Sequence, residues 1–229
     1  MNRREFLKVS GMGAMTVFLS GCGLLGLSGQ GELSGKASPD IKPQEISKGK
    51  KLKIVVITGS PHRNGTSAFL ADRFIQGAME AGHSVTRFNS AFEKYTPCNG
   101  CNECHSDGTC VFKDAIEEKL MQPLLEADVV ALITPLYYYT FSAQIKEVID
   151  RFYARNNSSK MKGKNALLMA TAYNSSEDTM PALVKGYQAI LKILQWKDAG
   201  QVLAIGCGAR SLVESSPFGG QAYEIGKKL

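Results

Sequence analysis

Hydrophobic and polar positions follow one another in blocks whose period switches repeatedly along the chain. Lys53-Ile54-Val55-Val56-Ile57 is a short, continuous β-branched run that closes on Thr58-Gly59-Ser60-Pro61, as a strand buried on both faces does. Over 66–81 the period becomes helical, with Leu70, Phe74 and Ala78 recurring on one face. The alternation continues. Strands are expected over 84–89, 128–134, 166–171 and 201–205, and helices over 114–125, 143–154, 181–195 and, at the end, 221–229. Five strands interleaved with helices imply an α/β fold with a doubly wound, five-stranded parallel sheet. Ligands of such sheets bind beyond the carboxyl ends of the strands, so the loops 58–67, 134–142, 171–178 and 206–217 are where chemistry is expected.

Composition narrows the class. The 229 residues are 44% hydrophobic and 21% charged, a globular mixture of single-domain size. No apolar run reaches the roughly 18 residues of a membrane-spanning helix. The net charge is +6; residues 1–22 contribute Arg3, Arg4 and Lys8 against Glu5, which leaves +4 on the remainder. Those charges are scattered rather than striped, which argues against a nucleic-acid partner.

The first residues read as an address. Asn2-Arg3-Arg4-Glu5-Phe6-Leu7-Lys8 resembles a twin-arginine export signal, followed by a short apolar stretch diluted by Ser10, Gly11 and Gly13. Leu19-Ser20-Gly21-Cys22 resembles a lipobox, with Cys22 the residue to be lipidated. Together they imply export by the twin-arginine route and a lipoprotein anchored to the membrane on the extracytoplasmic side. That route carries folded cargo, commonly with a cofactor already loaded. Residues 23–50, rich in Gly, Ser and Pro, read as a flexible tether, leaving 51–229 as the folded domain.

Two loops point to a flat, phosphorylated ligand. In Gly59-Ser60-Pro61-His62-Arg63-Asn64-Gly65-Thr66-Ser67, the glycines allow close backbone approach and the hydroxyls can donate, while the helix start suits a phosphate. It is not a Walker A loop, since Thr66 follows Gly65 where a lysine would stand. The second loop, Pro135-Leu136-Tyr137-Tyr138-Tyr139-Thr140-Phe141-Ser142, places four aromatics in five positions just past the expected end of the third strand. They suit either a heteroaromatic ring system or a subunit interface.

Together, Gly59-Ser60-Pro61-x-Arg63-Asn64-Gly65 and Pro135-x-Tyr137-Tyr138…Ser142-Ala143-x-Ile145-Lys146-x-x-Ile149-Asp150-Arg151 resemble the flavodoxin-like NAD(P)H-dependent FMN reductases, including the iron–sulfur flavoproteins. The resemblance implies a flavodoxin-like fold over about 51–229, with FMN as cofactor. It implies that Ser60 and the segment His62, Arg63, Asn64, Gly65, Thr66 and Ser67 bind the FMN phosphate. Pro135, Leu136, Tyr137 and Tyr138 would line the isoalloxazine ring. It also implies a homo-oligomer, dimer or tetramer. His62, Thr66, Ser67 and Tyr139 depart from the family's usual residues at their positions.

Cys98-x₂-Cys101-x₂-Cys104-x₅-Cys110 sets four thiols within 13 residues, a spacing that can wrap a [4Fe–4S] cluster and that matches the iron–sulfur flavoproteins. Structural zinc and, in an oxidising compartment, disulfides fit the same residues. Cys101-Asn102-Glu103-Cys104-His105 also satisfies the c-type haem pattern. Haem is attached to unfolded chains outside the membrane, contrary to twin-arginine export, and it would leave two cysteines unexplained. Other candidates are plainer: Cys207 reads as a small buried residue, His83 as a helix terminator, and Lys146 with Asp150 as an i, i+4 pair.

The sequence thus describes an exported, membrane-tethered FMN oxidoreductase with a metal-cluster candidate and no side chain needed as general acid or base. NAD(P)H is scarce outside the cytoplasm, so the electron donor is NAD(P)H, a quinol or another redox protein. A non-enzymatic electron carrier is the competing class.

Overall fold

The computed structural model describes residues 49–229; the expected export signal, Cys22 and the segment expected as a tether, up to residue 48, lie outside the described residues. Five parallel strands, β1 (Lys53–Thr58), β2 (Ser84–Asn89), β3 (Val129–Tyr137), β5 (Asn165–Thr171) and β6 (Lys197–Ala204), form a sheet in the order β2-β1-β3-β5-β6. A two-residue strand, β4 (Thr140–Phe141), pairs antiparallel with the end of β3. The helices are α1 (Thr66–Glu80), α2 (Gln122–Glu126), α3 (Ala143–Arg151), α4 (Pro181–Leu194), α5 (Arg210–Glu214) and α6 (Phe218–Lys228).

The β1 run is apolar throughout because both its faces are covered. Ile54 and Val56 join Leu70, Phe74 and Ala78 of α1 and Ala222 of α6 on one side of the sheet. Val55 and Ile57 join Leu120, Leu124, Ile145 and Val148 on the other. Alternate side chains of one strand thus feed two separate cores. The strand order reverses between β1 and β3, which makes the crevice above their carboxyl ends the topological switch point.

Helices α1 and α6 cross with their backbones in contact. A Cβ on Gly77 would collide with the Tyr223 carbonyl, and one on Gly226 with the Phe74 carbonyl. Helix α1 closes in a Schellman turn: Gly82 takes φ +88°, its N–H donates to Met79 O at 2.9 Å, and His83 N–H donates to Ala78 O at 3.1 Å. The imidazole Nδ1 of His83 accepts from Leu52 N–H at 3.3 Å, so the expected terminator also ties the turn to the start of β1.

Several boundaries differ from the sequence reading. Strand β3 continues to Tyr137 rather than ending near Thr134, with Pro135 in register opposite Thr171. The segment expected as one helix over 114–125 is a π-helical turn, Ile116–Met121, running into α2. Helix α3 ends at Arg151 and passes into the 3₁₀ turn Phe152–Arg155. Strand β6 begins at Lys197, where Gly200 at φ +144° accommodates a register shift against β5. Helix α5 falls inside a segment read as loop.

Candidate functional site

The β1–α1 loop is built by close packing. Gly59 N–H donates to Ile133 O at 2.9 Å, binding β1 to β3 at the switch point. A Cβ on Gly59 would lie 2.5 Å from Ser142 Oγ and 2.8 Å from Ile145 Cβ, so only glycine lets the loop pass the start of α3. Ser142, fully buried, donates its hydroxyl to Gly59 O at 2.8 Å and its N–H to Thr134 Oγ1 at 3.1 Å. At the other end of the loop, α1 opens on Gly65 with no side-chain cap and no acidic residue in its first turn. Its first N–H groups therefore remain available to an anion.

The expected phosphate residues separate into two groups. His62, Arg63 and Asn64 are exposed, and Gly65 and Thr66 are half-buried. The Arg63 guanidinium stacks 3.9 Å from the centre of the Phe92 ring, beside an open pocket also lined by Thr58, Ser60, His62, Arg87 and Asn89. Ser60 turns inward and accepts from His62 N–H at 3.2 Å. Ser67 is fully buried and, with Thr66, meets the hydroxyl of Thr171 on β5, each at 2.9 Å. Thr171 escaped the sequence reading because it closes an apolar strand. Ser67 belongs to the floor of the loop rather than to its open face.

The aromatic segment is a hairpin tip. Tyr137 pairs with Thr140, and Tyr138 and Tyr139 form the turn at φ 47° and 64°. A two-residue turn of this hand ordinarily holds Asn-Gly. Tyr138 is 99% exposed, and Tyr173, on the neighbouring β5 loop, is 89% exposed. Tyr137, Tyr138 and Tyr139 therefore stand in solvent at the carboxyl edge because strand geometry carries them there, while Phe141, the fourth aromatic of the segment, turns into the core. Pro135 is buried and Leu136 half-buried beneath them. Uncapped helix start, glycine-tight crevice and aromatic rim suit FMN: a phosphate at one end and a flat ring at the other.

The four clustered cysteines leave from the end of β2 and settle against the opposite end of α3. Cys98, Cys101, Cys104 and Cys110 line one hollow together with Phe112, Asp150, Arg151 and Tyr153. All four are free thiols, Cys98 and Cys101 exposed and Cys110 buried. Burial pushes the Cys104 thiol up, and the proximity of the other three thiols raises it further. Among the described residues no group of His, Cys, Asp and Glu converges as a single-ion site. One tetrahedral ion would need sulfurs about 3.8 Å apart, from a metal–sulfur bond of about 2.3 Å. A cubane takes one thiolate per iron, and the four cysteines around this one hollow match that number. The hairpin precedes the start of α3 and the hollow is lined by its last residues, so the nine-residue helix runs between them.

This second region is held by charge. Arg151 is 1% exposed and binds Asp114 at 2.8 Å and 3.3 Å. Burial alone would push the Asp114 carboxyl up; Arg151 and the N–H groups of Thr96 and Glu117 override it and hold it below the usual carboxylate range. Arg155 binds Glu117 at 2.7 Å, and His105 Nε2 meets the Tyr153 hydroxyl at 2.7 Å. Lys146 and Asp150 form the expected surface pair at 2.6 Å, and Cys207 is buried with its thiol pushed up by burial.

Strand order, switch-point crevice and uncapped helix define a flavodoxin-like α/β protein with a cofactor edge on its carboxyl side. The chain belongs to the NADPH-dependent FMN reductase family, which it matches over residues 52–205, and FMN is the cofactor that membership carries. It is similar to an iron–sulfur flavoprotein of Archaeoglobus fulgidus, 33% identical over 113 residues, covering 49% of this chain and 51% of that protein. The chain thus spans about half the length of that relative. An iron–sulfur flavoprotein of Methanosarcina thermophila is 24% identical over 172 residues, 74% of this chain and 81% of that protein. Among solved structures, the fold is similar to an NAD(P)H:quinone oxidoreductase from Methanothermobacter marburgensis. That likeness has TM-score 0.62 at 18% identity and covers 78% of this chain and 96% of the other.

Proposed function

We propose that the protein is an FMN-dependent oxidoreductase that exchanges electrons between its flavin and a [4Fe–4S] group held by Cys98, Cys101, Cys104 and Cys110. It works outside the cytoplasm, tethered through lipidated Cys22, and takes electrons from NAD(P)H, a quinol or a redox protein. It functions as a homo-oligomer. FMN supplies hydride and one-electron chemistry when bound. The chain's own residues bind and orient. The N–H groups at the start of α1, with Ser60 and the segment from His62 to Thr66, hold the phosphate. Pro135, Leu136, Tyr137 and Tyr138 line the ring, and Gly59 keeps the crevice narrow.

One observation carries the reading: four cysteines at cluster spacing line a single hollow in a protein of an FMN family. That two archaeal relatives are iron–sulfur flavoproteins supports it. Anaerobically purified full-length protein is expected to release one FMN per chain on heating and to contain about four irons and four sulfides. Cys104→Ala is expected to abolish iron and sulfide while FMN remains. Zinc, covalent haem or two disulfides in place of iron would reject the cluster and leave the flavin. Replacing Arg3 and Arg4 by Lys should retain the protein in the cytoplasm, and Cys22→Ala should release it from membranes.

A further inference from the structure

Arg151 is the largest fully buried side chain among the described residues, and FMN binding gives it nothing to do. Its position relative to the cysteines is specific. Nη1 donates to Thr96 O at 2.7 Å and Nη2 to Phe112 O at 3.2 Å. Thr96 lies two residues before Cys98 and Phe112 two residues after Cys110, so one guanidinium grips both ends of the cysteine stretch. The same side chain lines the hollow into which the four thiols open. Its Nε is buried with no partner, and Glu117 Oε1 and Arg155 Nη1 beside it are likewise unsatisfied. Asp114 and Glu117 pair with Arg151 and Arg155 through the terminal guanidinium nitrogens, and neither pair uses the Nε–H of Arg151. A buried donor without a partner is expensive, and such a group in a native structure points to something that completes it.

We propose that Arg151 is the positioning residue of the cysteine site: it closes the loop by holding both ends and leaves Nε–H for the sulfur group, raising that group's reduction potential. This rests on the cluster reading above. Reduction adds one electron to the group, and a fixed positive charge with a hydrogen-bond donor stabilises the added charge. A lysine carries the same charge but cannot span Thr96 and Phe112 at once. Clamp and charge are therefore separable.

The test compares anaerobic full-length wild type with Arg151→Lys, Arg151→Gln and Glu117→Gln. Each is assayed for iron per FMN, thermal unfolding, and midpoint potential by dithionite titration with mediators and spin-resonance detection. Arg151→Lys is expected to at least halve iron per FMN and to shift the potential of the remaining centres by clearly less than Arg151→Gln does. Arg151→Gln should lower both, the potential by a tenfold change in the one-electron equilibrium, about 59 mV. Glu117→Gln leaves the clamp intact and removes a negative charge, so iron stays complete and the potential rises. If Arg151→Gln does not load or fold, Glu117→Gln decides the charge and Arg151→Lys the clamp. Full iron in both Arg151 variants overturns the clamp. Loaded centres whose potential none of the variants moves, even as stability drops, overturn the tuning and leave a structural arginine. Iron-free wild type rejects the cluster reading and this inference with it; iron-loaded wild type indifferent to the variants rejects this inference alone.

Discussion

The two ends of α3 are built on opposite principles. At its start, neutral groups meet at close range: Ser142 binds Gly59 O and Thr134 Oγ1, and a missing Cβ at Gly59 makes the fit. At its finish, Arg151 lies fully buried with its two terminal nitrogens on Asp114 and two loop carbonyls. The first end is flanked by regular strands and α1; the second holds a cysteine loop whose regular structure is limited to short 3₁₀ turns, Ser90–Phe92 and Glu103–His105. Neutral close packing suits an edge where the ligand brings its own charge. A loop without strand or helix partners needs a strong central anchor, and a buried cation with several donors provides one. The contrast predicts that the cysteine end fails through its charges and the flavin edge through its shape.

The sharpest way to break the contrast is Asp114→Ala. It strands a buried guanidinium, and removing one partner of a buried pair costs about 3–5 kcal/mol. The loss should appear in urea unfolding and in hydrogen exchange concentrated over 95–112, with FMN affinity retained. The same pair sets an acid limb. Because the folded Asp114 carboxyl sits below its unfolded value of about 3.9, its contribution is present above that pH and disappears as pH falls through the depressed folded value. Asp114→Asn should remove this dependence; an unchanged acid limb would locate it elsewhere. At the other end, Gly59→Ala forces overlap with Ser142 and Ile145 and should destabilise by about 2 kcal/mol while weakening FMN. Cluster content should hold. Thr171→Val removes the partner of both Thr66 and Ser67 and should cost about 1 kcal/mol, read as a loosened FMN off-rate. Smallest is Tyr139→Gly, which relieves a left-handed tyrosine at φ 64° and should raise stability by about 0.5 kcal/mol. A loss there would mean the ring packs against something.

The sheet was readable because parallel strands buried on both faces leave continuous apolar runs, as β1 does; edge strand β2, only partly covered, was marked instead by its alternation. Pro135 hid the last turns of β3, since a residue without an N–H reads as a strand breaker. Here it pairs opposite Thr171 at the sheet's edge of exit. The start of β6 was hidden for a related reason: Gly200 and the polar Lys197-Asp198 obscure the period where the register slips. Of the candidate site, the loops and the cysteines announce themselves by composition. The groups that hold them do not. Thr171 is one threonine at the end of an apolar strand. Asp114 meets Arg151 across 37 positions, and no local pattern records that meeting.

The glycine crossing of α1 and α6 has a consequence for motion. Where Gly77 and Gly226 bring two backbones together, no side chain lies between them to change rotamer and absorb a displacement. The helices must then fluctuate as one body, on the slow timescale of a packed pair rather than the nanosecond timescale of a surface helix. The uncapped N-terminal end of α1 inherits that stillness from its far end, three turns away. Amide protons along Phe74–Ala78 and Tyr223–Gly226 should therefore exchange through one shared opening event, slow and matched in rate, and the carboxyl edge of the sheet gains a fixed reference without any contact of its own.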